Sequence, residues 1–192
     1  MREKRRPKKI CFVGAPGAGK TVLAGLLAKE LRKKGYRVAA PKEYAREFII
    51  RYGAMKNAAD QLIILQGQRK REEAAEKRNP DFVVCDCATF LAYIYTYVFT
   101  PDGRDLKEKR RHQLVSRLIK NEIAPDSKKY DYVFFLPLEF ASRKDGVRLY
   151  TEMAPQISRR IKTFLSKSKI NYCQVKGSPK ERADKVLEII KT

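Results

Sequence analysis

Ile10-Cys11-Phe12-Val13-Gly14-Ala15-Pro16-Gly17-Ala18-Gly19-Lys20-Thr21 sets an apolar run against a glycine-rich turn that closes on a lysine and a threonine. Residues 14–21 spell G-x-x-x-x-G-K-T, and Val22, Leu23, Leu26, Leu27 and Leu31 then recur at helical spacing as far as Gly35. A strand, a tight turn and a helix in that order make a loop that cradles phosphates. The backbone of Gly14, Ala15, Gly17, Ala18, Gly19, Lys20, Thr21 and Val22 can turn its N–H groups toward phosphate oxygens, and the helix adds the positive end of its dipole. Lys20 supplies a point charge and the Thr21 hydroxyl a ligand for Mg²⁺. A plain strand-to-helix turn requires neither group at these offsets. Binding of a nucleoside triphosphate is therefore expected, with ATP the first expectation and GTP the alternative.

Outward from the loop, strand and helix signals alternate. Arg37 to Ala40 reads as a second strand, Glu43 to Tyr52 and about Ala58 to Arg78 as helices, and Phe82-Val83-Val84-Cys85-Asp86 as a buried strand ending in a carboxylate. An aromatic segment runs from Thr89 to Phe99 and Pro101-Asp102-Gly103 marks a turn. The basic helix that follows has Leu114, Val115, Leu118, Ile119 and Ile123 as its apolar face. Asp131 to Leu136 and Ile170 to Val175 are the fourth and fifth strands, with a helix from about Pro155 to Ser166 between them. The last helix, entered through Gly177-Ser178-Pro179, has Ala183, Val186, Leu187 and Ile190 inward. Five strands separated by helices specify an α/β architecture with a parallel sheet, because parallel strands need helical crossovers. Gly14, Glu43, Asp86, Pro137 and Gly177 all fall at or just after strand ends, where such sheets bind ligands.

The chain has 192 residues, enough for one domain with a substantial core; residues 1–9 read as a basic tail and 10–192 as that single domain. No apolar run is long enough to span a bilayer, and the basic start leads straight into a strand, so no membrane partner and a cytoplasmic location are expected. Cys11, Cys85, Cys87 and Cys173 lie in or beside strand-like runs and read as free buried thiols; the lone His112 argues against a zinc site. The 43 Lys and Arg against 22 Asp and Glu leave a net charge of +21, which fits either a well-solvated surface or a nucleic-acid footprint. Oligomeric state is not legible.

Four further groups of residues bear on chemistry. Asp86, closing a Val-Val strand, either supports Mg²⁺ or caps the following helix. Glu43, after the second strand, can orient or deprotonate an acceptor hydroxyl, or merely pair with Arg46 one turn on; Tyr44 accompanies them. Arg143 and Arg148 lie in a polar stretch, about residues 138–157, that reads as a cover over the phosphates, with Arg148 placed to meet the transferring group. Tyr93, Tyr95 and Tyr97 either stack on a base or line the core.

In order and type these signals resemble the ribosylnicotinamide-kinase-like P-loop family, the kinase domain of NadR proteins and its relatives among small ATPases. Gly14 to Thr21, Glu43 to Glu47, Asp86 with Thr89, and Phe135 to Glu139 running into Asp145 to Arg148 carry the resemblance. Gly177-Ser178-Pro179 with Arg182 resembles the family's last turn, which lies against the adenine. The chain reads Asp86-Cys87-Ala88 where the family usually has Asp-Thr-Asp, and it has Ala141-Ser142 in place of a common Pro-Trp. The resemblance implies a three-layer P-loop NTPase fold, with a five-stranded parallel sheet flanked by helices. It also implies Mg²⁺-dependent transfer of the ATP γ-phosphoryl group to a nucleoside- or nucleotide-like acceptor, with Glu43 or Asp86 serving the acceptor hydroxyl. The rival reading from the charge is a nucleic-acid-binding ATPase or a polynucleotide kinase.

Overall fold

The computed structural model describes residues 6–99, 105–139 and 152–191, with the backbone alone at 99 and 123–126. Five strands, β1 (Lys8–Val13), β2 (Val38–Ala39), β3 (Phe82–Cys85), β4 (Tyr132–Phe135) and β5 (Cys173–Gln174), form one sheet. Their order is β2-β3-β1-β4-β5 and every pairing is parallel. The helices are α1 (Lys20–Lys33), α2 (Tyr44–Tyr52), α3 (Ala58–Glu76), α4 (Leu91–Thr96), α5 (Leu106–Ser127), α6 (Ala154–Lys167) and α7 (Pro179–Ile190). The sheet lies between two helical layers, as the alternating pattern implies.

Successive side chains of a strand point to opposite faces, and both faces here are covered, which is why the central strands are apolar throughout. Ile10, Phe12, Val84 and Phe134 meet Leu23, Leu27 and Leu31 of α1 and Ala183, Val186 and Ile190 of α7 on one side. Cys11, Val13, Val83, Cys85 and Phe135 meet Leu91 and Ile94 of α4 and Ile157, Ile161 and Leu165 of α6 on the other. The central strand β1, flanked by β3 and β4, delivers residues 14–19 to the carboxyl edge of the sheet. That edge is where open α/β sheets hold ligands.

Several local expectations change. β1 begins at Lys8, so Lys8 and Lys9 are strand residues rather than the end of a tail, and Lys9 is buried. The edge strands β2 and β5 are two residues each, shorter than the runs 37–40 and 170–175, because each has a single neighbour to pair with. Among the described side chains of α5 the apolar residues that turn inward are Val115 and Ile119, against Ala58, Leu65 and Ala92; Leu114 and Leu118 are 58% and 46% exposed. Ile123's side chain lies outside the described residues. Cys11 and Cys85 are buried, Cys87 partly so, and Cys173 is exposed on the edge strand, all four as free thiols. Of the stretch 138–157, residues 140–151 lie outside the described residues, Arg143 and Arg148 among them, and 154–157 begin α6. No helix among the described residues is long and apolar enough to cross a membrane.

Candidate active site

The loop at 14–19 is shaped by two steric demands. A Cβ on Gly14 would sit 2.7 Å from the carbonyl oxygen of Leu136, so only glycine lets β1 turn past the end of β4. Gly19 adopts φ 90°, the left-handed conformation that admits glycine cheaply, and it is the residue from which α1 springs. The start of α1 carries no side-chain cap and no acidic residue in its first turn. In contrast, α3 and α7 open with complete capping boxes, Asn57 with Asp60 and Ser178 with Glu181. The first N–H groups of α1 are thus left to an external acceptor, and an anion is the partner they suit. Lys20 Nζ folds back to donate to the carbonyls of Gly14 (2.9 Å) and Ala15 (3.1 Å), poised beside the same loop. Thr21 and Val22 are exposed at the helix start, while Ala15 and Ala18 are buried beneath it.

Beside the loop opens a cleft of about 1080 Å³ counting its mouth. Its floor is Pro16, Gly17, Gly19, Lys20 and Thr21. Its walls come from α2 (Ala45, Arg46, Ile49), α3 (Gln61, Ile64, Leu65, Gln68), the segment Cys87-Ala88-Thr89, and α4 (Leu91, Ala92, Tyr95), with Glu43 at the junction. Mostly apolar walls with a few converging polar groups are what a small-molecule pocket requires. The structure brings Lys20, Thr21, Glu43, Arg46 and Thr89 to this one cavity.

Asp86 stands immediately behind, at the end of β3. One of its carboxylate oxygens, Oδ1, is buried with no hydrogen-bond partner among the described residues. It does not cap a helix, because α4 begins after Phe90. Glu43 occupies the N-cap position of α2 without spending its carboxylate on a capping bond. Burial pushes the Glu43 carboxyl above its ordinary value of 4.5, and the negative charge of Asp86 adds to this; Lys20 and Arg46 pull the other way. Burial likewise raises the Cys87 thiol and the Tyr95 phenol, so both stay neutral in the wall.

The direction of the Glu43 shift carries a test. A carboxyl whose folded pKa exceeds its unfolded one stabilises the fold at low pH and loses that contribution as pH rises through the folded value. Glu43→Gln is therefore expected to melt at a higher temperature than the parent protein at pH 7. The gap should close as pH falls below about 4, the range of an unfolded carboxyl. A parallel set of melting curves from about pH 3 to 8 checks this; equal melting temperatures at pH 7 would contradict it.

Other residues go elsewhere. The Tyr44 ring does not line the cleft: it lies on Gly67, where any Cβ would clash with the ring carbons, with the Arg71 guanidinium 4.9 Å from its centroid. Arg71 also pairs with Glu47. Tyr93 packs on Phe164 and bonds Tyr97 hydroxyl to hydroxyl at 2.6 Å, so of the three tyrosines Tyr95 alone is in the cleft wall. Gly177, Ser178 and Pro179 form the entry to α7 rather than part of the cleft. There the buried Arg182 donates to the carbonyl of Ala18 (2.7 Å) and to Glu139 Oε2 (2.6 Å), which also accepts Gly177 N–H (3.0 Å). Those bonds, the arginine's first, hold the Glu139 carboxyl below the usual range. Arg182 is thus a brace under the phosphate loop. Gln61 and Gln68 belong to no motif. Polar residues on the inward face of α3, beside Ile64 and Leu65, are the signal that marks them.

A family model described as an AAA domain matches residues 9–182, and the chain belongs to that family. No curated protein sequence matches it. Among solved structures it is similar to the NadR protein in complex with NR, with a TM-score of 0.75 at 14% identity over 98% of this chain and 52% of that one. It is also similar to deoxyadenosine kinase from M. mycoides with bound dATP (TM-score 0.64, 15% identity, 96% of this chain and 100% of that one). Thymidylate kinase from Ehrlichia chaffeensis gives a TM-score of 0.61 at 14% identity over 98% of this chain and 100% of that one. The chain spans about half the length of the NadR structure. These likenesses establish the three-layer P-loop fold.

Proposed function

We infer that the protein is a phosphotransferase that moves the γ-phosphoryl group of ATP, with GTP as the alternative donor, to a hydroxyl of a nucleoside- or nucleotide-like acceptor. The observation that carries this reading is the cleft itself. It joins the uncapped start of α1 and Lys20 to a largely apolar pocket, with Glu43 at the junction and its carboxyl raised. A pure ATPase needs the phosphate loop but not a largely apolar pocket walled by α2, α3 and α4 beside it. The kinases among the structural relatives support the same reading.

In this mechanism the loop amides and Lys20 hold the phosphates and neutralise charge that develops on them. Glu43 accepts the acceptor's hydroxyl proton as its oxygen bonds to the γ-phosphorus and the bond to the β-phosphate oxygen breaks. A carboxyl raised toward neutrality is better matched to that task than an ordinary one. The buried, unpartnered Oδ1 of Asp86 and the exposed Thr21 hydroxyl fit a hard cation, and these two residues would hold Mg²⁺. When bound, the ion supplies charge neutralisation at the phosphates. Arg143 and Arg148 are proposed to approach the γ-phosphate from the segment outside the described residues.

The second reading, a basic nucleic-acid-binding ATPase or polynucleotide kinase, rests on the net charge of +21 and on Lys107, Arg110, Arg111, Arg117 and Lys120 exposed along α5. Labelled ATP offered with nucleosides, nucleotides and oligonucleotide 5′ ends separates the two. Transfer to a free nucleoside or nucleotide is the expected result. Failure on every small acceptor, together with hydrolysis stimulated by nucleic acid and suppressed steeply by salt, would replace the first reading by the second.

A further inference from the structure

Behind the cleft lies a buried polar network that the transfer chemistry does not use. Glu72, on α3, is 2% exposed, and Lys9, at the start of β1, is 4% exposed. Lys9 Nζ donates to Glu72 (2.9 Å) and to Glu76 (2.6 Å). The distances make this hub an ion pair: burial opposes both charges and holds the Glu72 carboxyl above its ordinary value, while Lys9 pulls that carboxyl back and the two carboxylates carry the Lys9 ammonium above its usual range. Two chains of hydrogen bonds run into that pair. In one, Thr89 N–H donates to the Tyr130 hydroxyl (2.9 Å), which donates to Glu72 (3.0 and 3.2 Å). In the other, Tyr44 N–H donates to Gln68 Oε1 (2.8 Å), and Gln68 Nε2 donates to Glu72 Oε1 (3.1 Å).

Each chain begins on a backbone amide within three residues of one of the two carboxylates, Glu43 at the cleft or Asp86 behind it. Thr89 is three residues after Asp86 and Tyr44 is one residue after Glu43. Every donor points toward Glu72, whose two oxygens accept from both chains and from Lys9 together; a neutral amide at this position has one acceptor oxygen and would have to share it among them. Burying a charge pair is costly relative to apolar packing, and a network of this kind gains geometric definition instead.

We propose that Glu72, held by Lys9, is a positioning residue for the acceptor site. From behind the cleft its single carboxylate fixes both backbone segments that carry the reactive carboxylates, residues 86–89 through Tyr130 and the start of α2 through Gln68. The proposal rests on the reading of the cleft as the acceptor site.

Two variants of the full chain test it, Tyr130→Phe, which removes one oxygen and cuts one arm, and Glu72→Gln, which weakens both. Amide hydrogen exchange followed residue by residue should quicken about tenfold at Thr89 in Tyr130→Phe with Tyr44 unchanged, as expected for loss of one hydrogen bond of about 1.4 kcal/mol. It should quicken at both amides in Glu72→Gln, with residues 14–21 unchanged in either. Acceptor turnover should fall about tenfold in each variant while the calorimetric ATP Kd stays within about twofold, since small misplacements at a reacting centre are that costly. A mere core role predicts instead that turnover and ATP affinity decline together with the melting temperature. That pattern, full turnover despite faster exchange, or unaltered exchange at both amides overturns the proposal. If Glu72→Gln does not fold, Tyr130→Phe decides alone. Should the parent protein phosphorylate no acceptor, the functional reading falls, and the exchange rates still decide whether Glu72 holds the two segments.

Discussion

Lys20→Ala is expected to lower phosphoryl transfer by at least about 10²–10³-fold, the range found when one preorganised donor to a developing charge is removed. The side chain lies on the carbonyls of Gly14 and Ala15 and offsets the negative charge of Glu43. Truncation therefore removes a charge from the phosphates and deprives the proposed base of its nearby cation. The fold should survive, because the substitution deletes only two hydrogen bonds at a surface loop, worth about 1 kcal/mol net each. A melting temperature lower by only a few degrees is expected for a chain of this length. Steady-state assays beside thermal melts check both halves. Full activity in a folded variant would remove the mechanism.

Asp86→Asn should move stability and activity in opposite directions. A buried carboxylate oxygen with no partner is unfavourable, so the neutral amide is expected to raise the melting temperature in metal-free buffer, by an amount corresponding to about 1–2 kcal/mol. Transfer should drop by about 10²–10⁴-fold, because the group proposed to support Mg²⁺ no longer carries its charge. The gain in stability should shrink when Mg²⁺ and nucleotide are added to both proteins, since ligand that binds the native parent stabilises it by mass action. A variant that is less stable without metal and equally active with it would show that Asp86 is a core residue. Functional sites commonly carry this kind of local cost.

The phosphate loop, the parallel sheet and the grouping of strand-end residues were legible because each depends on short-range pattern. G-x-x-x-x-G-K-T is contiguous, and the β1, β3 and β4 runs are apolar in their interiors because both sheet faces are covered. Placement of residues held by distant partners was not legible. Lys9 looks like one more cation of a basic tail until Glu72 and Glu76, far along the chain, are seen to enclose it. Leu114 and Leu118 fit a helical apolar stripe, yet among the described residues the partners of α5 cover the side with Val115 and Ile119. Tyr44 looks like a ring for a ligand until Gly67 offers it a flat bed. The inward glutamines of α3 were hidden by a helix that mixes charge and apolar residues on most of its surface.

Arg182 donates to the carbonyl of Ala18 from 164 positions further along the chain. A polypeptide emerging from the ribosome displays its glycine-rich turn early but must wait for α7 before that turn has its brace. The final shape of the glycine-rich turn thus depends on a segment that is synthesised long after the turn itself.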